Sequence, residues 1–208
     1  DGLVKVWDSF LVCKHVISLA KLPLPSLNPS VASVCLESGK LLVGTRGSEV
    51  YEIELTDGGP GRSEKLLEAH FAGELWGLAA MPRQAAFVSG GDDCTLRVWD
   101  AHARRMATSV ALPAKVRTVD VSPQSSHVAV GLASSQVRVL DSSLREQLAE
   151  LRVGRGKEAV SVVKFSPDGT TLAVGSHDNN IYLFNTSPYV LRAVCKGHNS
   201  YITHLDFS

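Results

Sequence analysis

Thr95-Leu96-Arg97-Val98-Trp99-Asp100 is the stretch that decides the fold. Leu96, Val98 and Asp100 alternate with Thr95, Arg97 and Trp99, the period of two that marks a strand with two differently occupied faces. Leu75–Ala79 and Ala85–Gly90 read as strands before it, and Met106–Leu112 as a strand after it. Polar turns separate them, including Asp92-Asp93. The same ending recurs in Val4–Asp8, Val50–Glu54, Val137–Asp141 and Ile181–Asn185. The closing residues 8, 54, 100, 141 and 185 lie 46, 46, 41 and 44 apart. A four-stranded propeller blade repeats about every 40–45 residues, whereas a helical repeat of about 34 does not fit. No stretch sustains the i, i+3, i+4 apolar spacing of a helix.

The predicted fold is therefore all-β, a β-propeller arc of four complete four-stranded blades with partial blades at both ends. The strands within each blade are named a to d in chain order. Blades are expected at about 31–69, 73–112, 115–152 and 159–196, with strands c and d of an incomplete blade in 1–19. Tyr201–Ser208 is expected to be strand a of a following blade. Four blades fall at the small end of the propeller range of about 4–8, which predicts an arc of a larger ring. Leu22–Pro29 and Asp57–Gly61 read as long loops between strands. Ser166-Pro167-Asp168-Gly169 is a turn, because Pro167 presets φ and Gly169 tolerates φ > 0.

Composition narrows the function. The chain has 208 residues, with 21 Lys plus Arg against 21 Asp plus Glu. A balanced charge argues against bulk attraction to nucleic acid or to a membrane surface. No apolar run approaches the roughly 20 residues of a membrane helix. Cys13, Cys35, Cys94 and Cys195 form no CxxC pair and are expected to be free thiols in a reducing compartment. The seven histidines show no metal-ligand spacing on a common element, so no metal is expected. No GxSxG is present. Gly154-Arg155-Gly156-Lys157 hints at a phosphate loop, but Leu151 stands where the first glycine belongs and Glu158 follows the lysine. No catalytic residues and no cofactor are expected.

The Trp-Asp endings and Gly197-His198 make the chain resemble WD-repeat proteins. In that family a His, a Ser or Thr, an Asp and a Trp form a structural hydrogen-bonded tetrad. The matching residues are His70, Ser89, Asp93 and Trp99. In the other blades Ile53, Leu140 and Phe184 replace the Trp, which predicts apolar packing there.

A narrower resemblance covers nearly the whole chain. Leu41–Arg46 with Glu49–Ile53, Gly73–Ala79, Ser176–Asn179 with Ile181–Asn185, and Cys195–His204 are similar, in order, to the echinoderm microtubule-associated protein-like family. That resemblance implies the front part of the second of two tandem atypical propellers. It also implies a non-catalytic, cytoplasmic, cytoskeletal platform whose partner is tubulin or microtubules. The family's hydrophobic motif before the first propeller, and its coiled coil, are not in this sequence. The fold alone also allows a generic scaffold in a signalling or ubiquitin-ligase complex.

Two basic groups are candidates for partner contact. Arg152, Arg155 and Lys157 belong to a loop joining strand d to the next strand a. Arg104-Arg105 belongs to a c–d turn. In a WD blade the d–a and b–c loops share one rim and the a–b and c–d loops the other, so the two groups are expected on opposite rims.

Overall fold

Alternating apolar residues generate strands throughout the chain, and a computed structural model describes residues 2–22 and 29–208. Most of the proline-rich Leu22–Pro29 loop lies outside the described residues. The chain divides into two units, Asp1–Ala72 and Gly73–Ser208.

In the first unit, β1 (Leu3–Trp7) and β2 (Cys13–Ser18) form an antiparallel pair. The strands β3 (Val31–Glu37), β4 (Lys40–Thr45), β5 (Glu49–Thr56) and β6 (Gly59–Glu68) form a four-stranded sheet in chain order. Its core joins Val4, Ile17 and Leu19 to Leu41, Val43, Tyr51 and Ile53. The Asp57–Gly61 loop expected above is instead a two-residue turn, Asp57-Gly58, with Thr56 opposite Gly59. An Asp-Gly pair between alternating strands is a strong hairpin signal, and it lets β6 begin several residues early.

In the second unit three four-stranded sheets follow one another. They are β7 (Leu75–Ala80) to β10 (Arg105–Ala111) with β8 (Ala86–Gly91) and β9 (Thr95–Asp100), then β11 (Val116–Val121) to β14 (Gln147–Arg152) with β12 (Val128–Leu132) and β13 (Gln136–Leu140). The last sheet holds β15 (Val160–Phe165), β16 (Thr171–Ser176), β17 (Ile181–Thr186) and β18 (Tyr189–Cys195). One core lies between the first and second of these sheets, where Val88, Leu96 and Val98 meet Val116, Val130 and Leu140. Another lies between the second and third, where Ala129, Val137 and Val139 meet Val160, Val174 and Phe184. The middle sheet is buried on both faces, so every residue of β12 is inaccessible. This explains its near-continuous apolar run.

One glycine per blade sets the approach of the next. A Cβ on Gly90, Gly131 or Gly175 would come within 2.7 Å of Val116, Val160 or Ile202 respectively. Only a residue without a side chain allows the following strand a to lie this close. Ile202 therefore occupies the place of a strand-a residue and is buried. Residues 201–208 nevertheless form no strand, contrary to the expectation above. Among the described residues no neighbouring strand offers them a ladder.

Side chains also join sheets directly. Thr118 Oγ1 accepts from the Val163 N–H at 3.2 Å, and Asp120 Oδ2 accepts from the Phe165 N–H at 2.7 Å. Burial raises the Asp120 pKa above its ordinary value, against the lowering effects of the Phe165 N–H and Lys164. A raised folded pKa means that stability from this group is full below the unfolded value of about 3.9 and falls as pH rises through the folded value. Asn does not titrate and still offers an acceptor. Asp120→Asn is thus expected to gain stability relative to the parent as pH rises from 3 towards 7, measured by urea unfolding. A stability gap that does not change with pH would contradict the assigned burial effect.

Candidate interaction surface

The four residues matched to the WD tetrad divide between the units. His70 is half-buried at the end of the first. In the second, Trp99 Nε1 donates to Ser89 Oγ at 2.7 Å, and the indole stacks on Phe87 with centroids 6.1 Å apart. Trp99 is half-buried. Asp93 accepts from the Thr95 N–H and hydroxyl, and pairs with Arg97 at 3.3 Å. Both side chains of that ion pair are inaccessible, at 1% and 0%. Sequence reading had assigned Asp93 to the turn but missed Arg97 as its buried partner.

Aligning blades on their strand-b glycines places Val43, Val130 and Val174 where Ser89 stands, and Ile53, Leu140 and Phe184 where Trp99 stands. Each hydrogen-bonded Ser–Trp position is thus replaced as a pair by two apolar residues. All three valines are fully buried. Losing the indole donor together with the hydroxyl leaves no polar group unmatched.

The same alignment shows a feature that the repeat spacing had not singled out. Trp76, Arg117, Ser161 and Thr203 are equivalent, each following the first residue of a strand a or its place. They line one cleft of about 660 Å³. Next to them the b–c turns donate to the d–a loops, from the Asp92 N–H to Glu74 O at 2.9 Å, Ala133 to Lys115 at 2.9 Å and His177 to Ala159 at 3.0 Å. Both loop classes therefore share this rim.

Asp92 organises one side of the cleft. Its carboxylate accepts from Trp76 Nε1 at 3.1 Å, Lys115 Nζ at 3.2 Å and Arg117 Nη1 at 2.9 Å. The Arg117 guanidinium lies 5.0 Å over the Trp76 ring. Desolvation pushes the Asp92 pKa up, but the hydrogen bond from Lys115 and the charge of Arg117 outweigh it, and the group ends below its ordinary value. Gly73 leaves room for it: a Cβ there would lie 2.4 Å from Asp92, and its φ of +127° strains any other residue. On the other side, Tyr201 packs on His177 with centroids 4.7 Å apart.

The basic candidates lie elsewhere. Arg152 ends β14, exposed, with Glu150 at 3.2 Å. Arg155 and Lys157 are exposed in the loop before β15, and their backbone N–H groups both donate to Glu158 at 3.2 Å. The phosphate-loop likeness thus ends with the loop's N–H groups filled by its own carboxylate. Arg104 sits in the β9–β10 turn at φ 52°, and Arg105 opens β10. Among the described residues no group of three His, Cys, Asp or Glu could hold a metal ion. No helix is long and apolar enough to cross a membrane.

Residues 75–208, which carry this cleft, match the family described as the echinoderm microtubule-associated protein second beta-propeller. The chain is 35% identical over 198 residues to echinoderm microtubule-associated protein-like 3 of Homo sapiens, covering 93% of this chain and 21% of that protein. The chain belongs to the echinoderm microtubule-associated protein family.

Other relatives agree. Echinoderm microtubule-associated protein-like 2 of Homo sapiens is 34% identical, covering 81% of this chain and 25% of that protein. The ciliary WD repeat-containing protein ctxp80 of Euplotoides octocarinatus is 31% identical over 86% of this chain and 27% of its own length. The chain thus spans about a fifth to a quarter of these relatives. The β-propeller domain of Myceliophteria thermophila Cps50 (Swd1) superposes with a TM-score of 0.60 at 15% identity, covering 86% of this chain and 59% of that one. That likeness establishes the fold alone. The all-β, WD-repeat propeller architecture expected from the repeat is the architecture of this family member.

Proposed function

We propose that this chain is a non-catalytic, cytoplasmic interaction platform of the cytoskeleton that contacts tubulin in microtubules. The observation that carries this reading is family membership across 93% of the chain, among relatives named for microtubule association. The relative named as ciliary agrees with it. The propeller supplies a rigid scaffold whose loops carry contact residues. The basic loop Arg152, Arg155 and Lys157 gives an acidic partner such as tubulin a point of electrostatic contact, and Glu158 holds that loop in shape. No nucleic acid or membrane partner is proposed, because the charges balance.

Rim charges act through association rate and salt dependence more than through raw affinity. Changing Arg152, Arg155 and Lys157 together to Ser is expected to weaken microtubule co-sedimentation about two- to fivefold, with a flatter salt dependence. The melting temperature is expected to stay constant. Arg104 and Arg105 changed to Ser provide the control from the other rim. Equal losses from both pairs of changes would show unspecific charge attraction, and no loss from either would remove these loops from the contact.

A further inference from the structure

The cleft lined by Trp76, Arg117, Ser161, His177, Tyr201 and His204 has no assigned ligand. Four observations converge on its chemistry. Its volume of about 660 Å³ lies within the roughly 300–1,000 Å³ of ligand sites. No carboxylate lines it, while Arg117 and two histidines do. Asp92, the acid nearest to them, is held back by Lys115, Arg117 and the Trp76 N–H. Finally, Ser161 Oγ is buried with no hydrogen-bond partner among the described residues. A buried hydroxyl without a partner costs about 1–3 kcal/mol, a cost that a ligand acceptor would remove.

The walls specify the rest of the ligand. Trp76 and Tyr201 are each about half exposed, at 51% and 52%, although both are large aromatic residues. Val160 and Val162 add apolar surface between them. A free inorganic anion would use the cation and leave these surfaces wet. A cationic ligand would meet Arg117 and Lys115.

We infer that this cleft binds a short peptide segment in which acidic and aliphatic residues alternate. A ligand carboxylate is received by Arg117 and the Ser161 hydroxyl, and aliphatic side chains lie against Trp76 and Tyr201. The residues are distinct from Arg152, Arg155 and Lys157. The inference rests on the chain being an interaction platform but not on tubulin being its partner.

The test is fluorescence anisotropy of the purified chain with a labelled seven-residue peptide of alternating glutamate and leucine. Its counterpart with glutamine in place of glutamate, and inorganic phosphate as competitor, are the controls. Saturable binding of the glutamate peptide is expected. The glutamine peptide should bind at least about tenfold more weakly, since hydrogen bonds to charged groups are the stronger ones. Phosphate at about 10 mM should not displace the peptide, because it cannot use the aromatic walls. Ser161→Ala should weaken binding about fivefold at unchanged melting temperature. Arg117→Gln should weaken it about tenfold or more; should that variant fail to fold, Ser161→Ala carries the test. Absence of saturable binding, equal binding of the glutamine peptide, displacement by phosphate, or unchanged affinity in a folded variant of either residue would each overturn the inference. A chain that binds the peptide but does not pellet with microtubules would keep this site and discard the proposed function.

Discussion

Arg97→Met is expected to destabilise the chain by about 3–5 kcal/mol, the cost of breaking a buried ion pair by removing one partner. Arg97 and Asp93 are 1% and 0% exposed, and the guanidinium also donates from Nε to Thr95 Oγ1 at 3.1 Å. Methionine fills similar volume, so the loss measures the polar contact and not a cavity. The fold itself suggests the rescue. In the last blade Asp178 and Tyr182 stand where Asp93 and Arg97 stand, and the Tyr182 hydroxyl donates to Asp178. Arg97→Tyr is therefore expected to be less damaging than Arg97→Met in urea unfolding. A loss below about 1 kcal/mol for Arg97→Met, the size of an ordinary surface change, would contradict the assigned role.

Trp99→Ala is expected to cost about 3 kcal/mol, near the lower end for large-to-small aromatic changes because the ring is half-buried. The change removes the Phe87 stack and the bond to Ser89. The sharper experiment replaces the pair. Ser89→Val with Trp99→Phe copies Val174 and Phe184 of the last blade, and apolar swaps that preserve the pattern cost less than about 1.5 kcal/mol. The double change is expected to be more stable than Ser89→Val alone, in which the indole N–H faces a methyl group. Strict additivity of the two single changes in calorimetry would show that the residues do not act as a unit.

Much of this architecture was legible because period-two alternation repeats at blade spacing. Lys40–Thr45, Thr95–Asp100, Val116–Val121 and Val160–Phe165 emerge with the bounds the pattern predicts. Turns were less legible. Ser48, Cys94, Ser135 and Asn179 occupy the same left-handed place in four b–c turns, with φ of 60°, 59°, 56° and 68°. Only Asn179 has the side chain that signals it; in the others the ladders on both sides impose the conformation. Asp57-Gly58 carried its hairpin signal openly, and the flanking glycines disguised it as a loop.

The cleft was hidden for a different reason. Trp76, Arg117, Ser161 and Thr203 share no chemistry, so no motif joins them. Only the register of successive strands a brings them to one rim. Asp92 lay beside Asp93 and read as part of the same turn. Its true partners, Lys115 and Arg117, come from the next blade, 23 and 25 residues further on.

Microtubule co-sedimentation of the purified chain, over increasing tubulin concentration at two salt concentrations, tests the proposed role most directly. Saturable pelleting that weakens as salt rises is the predicted result. A folded chain that stays in the supernatant at every tubulin concentration, at low salt as at high, would contradict it.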